Sequence, residues 1–110
     1  MSGQRCYMIV IADFTDRERF LAGYARVVPP LVAQFGGRYV IRGAGGQVLE
    51  GDWGASPSAL VSEWPDRASA LRFWNSPEYA AARRLREGTG RFQVILVDSP
   101  AAIQALPGPE

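Results

Sequence analysis

The sequence contains no histidine. That absence removes a Ser-His-Asp triad, an imidazole general base and imidazole ligation of zinc or haem from what the chain can do alone. Lysine is missing as well, so the 12 basic residues are all arginine. A guanidinium fork suits carboxylate and phosphate better than an ammonium does, although a uniform preference for arginine also follows from genomic base composition. The one cysteine, Cys6, can neither close an intrachain disulfide nor hold zinc by itself, which leaves the cytosol as the expected compartment. Long hydrophobic runs are lacking too. Tyr7 to Ala12 is far too short to span a bilayer and follows no charged leader with a cleavage site, so neither a membrane span nor a signal peptide is expected. There is no GxxxxGKS/T loop, and Gly43-Ala44-Gly45-Gly46 is not positioned to open a helix, so a nucleotide site has no support.

What remains is an ordinary globular composition. The chain has 110 residues, 47% of them hydrophobic and 11% aromatic, with a net charge of +1. That length suits a single domain, and a charge so close to zero gives no general affinity for nucleic acid or acidic lipid. The domain is expected over residues 1–99, followed by a frayed or arm-like tail over 100–110 that is rich in proline and alanine.

Tyr7 to Ala12 reads as a strand buried on both faces. Thr15 followed by Glu18 has the form of a capping box and predicts a helix start. Phe20, Tyr24, Val27, Leu31 and Phe35 recur at helical spacing, with a kink or restart predicted near Val28 because Pro29 and Pro30 follow it. Gly36 and Gly37 stop this helix. Arg38 to Arg42 predicts a second strand, the glycines from Gly43 to Gly46 a turn or bulge, and Gln47 to Glu50 a return to extended chain before a loop over Asp52 to Ser58. Ala59 to Trp64 predicts the third strand, and Asp66 caps a helix whose buried side is Leu71, Phe73 and Trp74. Ser76 and Pro77 open a further short helix that turns Tyr79, Ala82 and Leu85 inward, and Arg91 to Asp98 predicts the fourth strand.

Strand, helix, strand, strand, helix, strand is the order of an α+β, ferredoxin-like βαββαβ protomer: an antiparallel sheet with its helices on one face. Alternation then sets Tyr7, Ile9 and Ile11 opposite Met8, Val10 and Ala12, and Phe92, Val94 and Leu96 opposite Gln93, Ile95 and Val97. Both faces are apolar. Burying one such side chain gains roughly 1.5–3 kcal/mol, so a homodimer that pairs two sheets is expected. The RNA-recognition fold shares this topology, but its stacking aromatics would need an open face that here is aliphatic.

Tyr24, Pro29, Gly36-Gly37-Arg38, Arg42-Gly43, Leu49-Glu50-Gly51, Glu63-Trp64-Pro65 and Ser76-Pro77-Glu78-Tyr79 fall in one order between Tyr7 and Asp98. In these segments the chain resembles the bacterial family called domain of unknown function 1330, a branch of the dimeric α+β barrel superfamily. The resemblance implies a ferredoxin-like protomer whose sheet pairs with a second copy to form a barrel, and it implies no established reaction. Two positions depart from the pattern: Phe73-Trp74, where relatives more often carry Trp-Tyr, and Trp64, where they more often carry Phe. These exchanges keep an aromatic wall but remove a hydroxyl from any pocket.

Carboxylates and phenols are left for acid–base work, namely Asp13, Glu50, Asp52, Glu63, Tyr24 and Tyr79. Glu50 and Glu63 fall near the ends of extended segments, where burial would raise a carboxyl towards neutrality. Either could abstract a proton while Arg38 or Arg42 stabilises the developing anion. The plainer reading of Glu63 is a salt bridge to Arg38 or Arg42, and of Glu50 a solvated loop. Tyr24, Trp74 and Tyr79 could line a pocket between helices and sheet or could simply be core, and Arg83, Arg84 and Arg86 could grip a substrate carboxylate or form a charged helix face. No cofactor and no metal is expected. Two functions stand side by side: a dimeric module that binds a small organic molecule between sheet and helices, and a cofactor-independent enzyme of the isomerase or monooxygenase kind. A purely structural dimer is the third.

Overall fold

The β-branched run around Ile9 forms the middle of an 11-residue strand, β1 (Gln4–Phe14), which pairs along its full length with β4 (Gly90–Pro100) and on its other side with β3 (Ser58–Trp64). β2 (Arg38–Gly43) pairs with β3 to complete a four-stranded sheet in the order β2-β3-β1-β4, antiparallel throughout. The structure, a computed structural model, describes residues 4–100. Between strands lie α1 (Arg17–Ala22), α2 (Tyr24–Gln34), α3 (Arg67–Trp74) and α4 (Pro77–Arg83), the last followed by a short 3-10 turn over Arg84–Arg86. The fold is the expected α+β, ferredoxin-like one, with the central strand β1 flanked by two strands running against it. The tail expected over 100–110 lies outside the described residues except for Pro100, where β4 ends.

The core sits on the helical side of the sheet. Cys6 and Met8 of β1 and Trp64 of β3 meet Val28 and Val32 of α2, Ala70 and Phe73 of α3, and Tyr79 and Ala82 of α4. Asp66 caps α3 by accepting from the Ser69 amide at 2.8 Å, and Ser76 caps α4 by accepting from the Tyr79 amide at 3.0 Å, with Pro77 in the first turn. Both caps agree with the sequence.

The first helical segment differs from expectation in three ways. Its cap is Asp16, whose side chain accepts from the Arg19 amide at 3.1 Å, and not Thr15, whose own amide donates to the Thr89 carbonyl at 2.8 Å. Aspartate caps at least as well as threonine, so the start moves by one residue. The break falls at Gly23 and not near Val28: the Gly23 amide closes α1 on the Arg19 carbonyl, and the Gly23 carbonyl opens α2 by accepting from Arg26 and Val27. α2 runs through Pro29 and Pro30. A proline's fixed φ is helical, and of the two carbonyls that Pro29 and Pro30 leave without a helical donor, Arg26 is on an exposed residue and Ala25 on a half-buried one bordering an open cleft. The third difference is one position of the inner face: Tyr24, Val28, Leu31, Val32 and Phe35 face the sheet while Val27 is 42% exposed.

Elsewhere, Gln47–Glu50 forms no strand and belongs to a loop between β2 and β3. Leu71 and Leu85 lie outward. Ala70 and Phe73 take the inner face of α3, and the 3-10 turn changes the phase of the chain before Leu85.

Gly36 takes a left-handed φ of 97° at the end of α2, and Gly37 then passes against the fully buried Trp64. A Cβ at Gly37 would come within 2.8 Å of three atoms of the indole ring, whose Nε1 donates to Ser62 Oγ at 2.9 Å. The ring is packed on Phe73 and has no room to retreat. Gly37→Ala is therefore expected to lower stability by about 1–3 kcal/mol in urea denaturation, the range for overpacking a core; an unchanged midpoint would contradict this packing.

Candidate functional site

α1 is short and buries none of its residues completely, so it rests on the sheet without sealing to it. Below it opens a cleft of about 180 Å³, walled by Phe14, Phe20, Tyr24, Tyr39, Val28 and Leu60 and carrying Arg17, Arg42 and Ser58 as polar groups. A smaller hollow of about 50 Å³ continues past Tyr24 towards Phe92 and Arg86. The cleft is smaller than most ligand sites, which run to about 300 Å³ and more, but has the mostly apolar wall and few polar groups of such sites.

A backbone irregularity in β2 supplies two of its residues. Tyr39 is opposite Ser62 and Ile41 is opposite Val61, so the register shifts between them, and Arg42 then falls opposite Leu60. Simple alternation would send Tyr39 and Arg42, three residues apart, to opposite faces. The bulge puts both on the helical face, where the Arg42 guanidinium lies over the Tyr39 ring at 5.4 Å. Arg17 lies over Phe14 at 5.3 Å and donates to Ser58 Oγ at 3.3 Å.

The aromatic wall runs on into the core. Phe14 meets Phe20 at 4.6 Å between centroids, Phe20 stacks on Tyr24 at 5.0 Å, and Tyr24 meets Tyr79 edge-on at 6.2 Å. The hydroxyls of Tyr24 and Tyr79 are 2.7 Å apart and share a hydrogen bond. Burial, with the Tyr79 hydroxyl adding to it, pushes the Tyr24 phenol far above its ordinary value, so it stays protonated and acts as a donor. Burial likewise pushes Tyr39 up to about 12, against the pull of Arg42.

The residues expected at a site divide among four places. Tyr24 and Arg42 border the cleft, and Tyr79 stands behind it, bonded to Tyr24. Trp74 lies against Tyr79 at 5.2 Å but faces a different, shallower groove of about 380 Å³ between α3 and β4. That groove is the larger by volume, yet its one charged group, Arg67, already pairs with Asp98 at 3.3 Å. Glu50 is exposed in the loop between β2 and β3. Arg38 and Glu63 sit together on the face of the sheet turned away from the helices. There Glu63 accepts from the Tyr7 hydroxyl at 2.7 Å and from Arg38 Nε and Nη2, both at 2.8 Å, with Arg5 Nε at 3.6 Å. The Tyr7 hydrogen bond, with the guanidiniums behind it, holds the Glu63 carboxyl below its ordinary range. Arg83 lies over Trp74 at 5.1 Å and Arg86 over Phe92 at 4.5 Å. No carboxylate lines the cleft among the described residues. Nor do those residues contain three or more His, Cys, Asp or Glu grouped to hold a metal ion, and none of their helices is long and apolar enough to cross a membrane.

Sequence reading overlooked Arg17, Phe14, Tyr39 and Ser58 as cleft residues. Phe20 and Tyr24 were visible through their helical spacing, but a bulge at Tyr39 to Ile41 leaves no glycine or proline as a marker.

Because Glu63 binds a proton less readily in the folded protein than in the unfolded chain, its network stabilises the fold above the ordinary glutamate value of 4.5. The contribution is lost as pH falls through the lower folded value. Arg38 and Arg5 are largely exposed, so solvent screens the pairs. Glu63→Gln is expected to cost about 1 kcal/mol at pH 7 and to approach wild type progressively as pH falls below 4.5 in thermal denaturation at fixed protein concentration. A penalty independent of pH would show that the network is not what the substitution removes.

Comparison with known proteins follows the same lines. Residues 5–100 match the family model of domain of unknown function 1330. The crystal structure of a protein of unknown function from Rhodopseudomonas palustris superposes with a TM-score of 0.72 at 19% identity, covering 86% of this chain and 82% of that one. SnoaB, a cofactor-independent oxygenase from Streptomyces nogalater, gives 0.62 at 13% identity over 99% of this chain and 100% of its own. A dimeric protein of unknown function and ferredoxin-like fold from Bacteroides fragilis gives 0.50 at 18% identity over 87% of this chain and 95% of that chain. No curated protein matches the sequence. Identities this low carry the fold alone, whereas the family match spans every strand and helix described above. The chain belongs to the family named domain of unknown function 1330.

Proposed function

We propose that the protein is a homodimer closed by its two sheet faces, and that each copy takes up a small organic molecule in the cleft under α1. The observation that carries this reading is the division of labour across one sheet. Its helical face bears an aromatic cleft with guanidiniums and no carboxylate, and its other face bears uncovered hydrocarbon. Ile41, Ile95 and Val97 on that face are 52%, 45% and 40% exposed, and Ile9, Ile11 and Val61 lie half-buried beside them. Tyr7, Glu63 and Arg38 border this apolar band at one end, and Asp13, Arg91 and Asp52 at the other, where Arg91 pairs with Asp13 at 3.3 Å. A second copy related by a two-fold axis meets such a surface with like against like in the middle and charge at both rims. The protein of Bacteroides fragilis, described as dimeric and of ferredoxin-like fold, supports a homodimer.

A second reading, a cofactor-independent enzyme of the isomerase or monooxygenase kind, is favoured by the Tyr24–Tyr79 hydroxyl pair at the cleft wall. In it the protonated Tyr24 phenol donates to charge developing on a bound substrate, because Glu63 lies across the sheet and Glu50 lies out in the loop. SnoaB, described as a cofactor-independent oxygenase, lends this reading its fold and nothing finer.

Sedimentation at micromolar concentration is expected to give a dimer for the wild type and a monomer for Val61→Arg, which sets a charge in the centre of the apolar band; a monomeric wild type would overturn the assembly. Mass spectrometry of protein purified from its host is expected to find a small molecule that Leu60→Trp, which fills the cleft, no longer retains. Turnover of that molecule by the wild type but not by Tyr24→Phe would select the enzyme, and retention undiminished in Leu60→Trp would remove the cleft as the site.

A further inference from the structure

We infer that the cleft selects an anionic molecule with a flat apolar body of one or two rings, its carboxylate held by Arg17 and Arg42. The inference rests on the cleft being a ligand site and adds the class of ligand. Its first support is electrostatic. Arg5, Arg19, Arg38, Arg67 and Arg91 each pair with an Asp or Glu. Arg17, Arg26, Arg42, Arg72, Arg83, Arg84 and Arg86 have no such pair among the described residues, and of these only Arg17 and Arg42 border the cleft, with no acidic residue beside them in its lining. An apolar hollow with two such guanidiniums and no counter-charge favours an anion over a neutral or cationic guest.

The second support is the way the two guanidiniums are held. Each lies over an aromatic ring of the cleft, Arg17 over Phe14 at 5.3 Å and Arg42 over Tyr39 at 5.4 Å. A guanidinium already held against a ring has less freedom to lose when a carboxylate arrives, and the ring takes none of its N–H groups from an acceptor. Arg17 has committed one N–H to Ser58 Oγ at 3.3 Å, and hydrogen bonds from Arg42 to other protein groups are absent among the described residues. The β2 bulge strengthens the case, since without it Arg42 would fall on the outer face with Arg38.

The walls specify the rest of the guest. Phe14, Phe20, Tyr24 and Tyr39 offer ring faces and edges, and a volume of about 180 Å³ limits the body to one or two rings. The Tyr24–Tyr79 pair has two O–H groups and makes one hydrogen bond between them. When buried Tyr79 donates to Tyr24, the Tyr24 proton is left to meet an acceptor in the cleft.

Isothermal titration of the full chain with 2-naphthoate and its neutral counterpart 2-naphthamide tests this. The wild type is expected to bind the naphthoate about tenfold or more tightly than the amide, as a charge-assisted hydrogen bond allows. Arg17→Gln with Arg42→Gln should erase that preference by weakening the naphthoate alone, and Arg17→Lys with Arg42→Lys should keep part of it. Unchanged amide binding shows that a variant is folded with its cleft intact. Equal affinity of the wild type for both probes, or a preference that survives the glutamine pair, would overturn the choice of an anion while leaving the cleft as a site. Failure of the wild type to bind either probe, or binding undiminished by Leu60→Trp, would overturn both.

Discussion

Hydrocarbon on both sides of one four-stranded sheet is the constraint from which the rest of the molecule follows. A strand sends successive side chains to opposite faces, so the residues that fill the core and those that face away are interleaved along the same backbone. Met8 disappears under the helices while Ile9 emerges on the other side, and Trp64 is sealed in the core one residue after Glu63 joins the outer ion pairs. No shift of register could hide one set without baring the other. Four short helices suffice for one face only, and the second face stays apolar in the middle and charged at its ends. On the reading proposed above, a second copy completes what the helices leave open.

The cleft owes its shape to the same economy of helices. α1 and α2 part at Gly23, and α1 is left as a six-residue piece that buries nothing completely. Such an element, with few buried contacts, belongs to the least stable part of a fold and is the part able to yield to a guest. The site is nonetheless anchored. From Trp64 the rings of Phe73, Tyr79, Tyr24, Phe20 and Phe14 follow one another without a gap, each step between 4.6 and 6.2 Å. One end of that series is fully buried and the other forms the cleft wall. Packing of the core therefore fixes the position of the groups that a ligand would touch, while the loosely held helix above them supplies access.

Most of the fold was legible because its signals are local and periodic. Four strands and their order, the caps at Asp66 and Ser76, the glycine stop after α2 and the two-faced apolar pattern of β1 and β4 can all be read from spacing and residue type. What was not legible depends on phase. Val28 rather than Val27 took the inner face of α2, two positions that helical spacing from Tyr24 does not separate, and a 3-10 turn after Arg83 turned Leu85 outward. The candidate site suffered most from this. Arg38 and Arg42 look equivalent in sequence, yet a bulge between Tyr39 and Ile41 sends them to opposite faces, one to Glu63 and the other to the cleft. Glu63 itself fits its plainer reading, a carboxylate engaged by Arg38, with Tyr7 as a partner that spacing alone could not reveal.

The central claim is that the two faces of the sheet serve two different partners independently. Methyl-resolved NMR tests it in one sample, because Ile9, Val61 and Ile95 report the outer face while Val28 and Leu60 report the cleft. Dilution should move the first set and leave the second in place, and added 2-naphthoate should move the second and leave the first. If dilution moved neither set, or if both sets answered to the same titrant, the division of the sheet into an assembly face and a ligand face would be wrong.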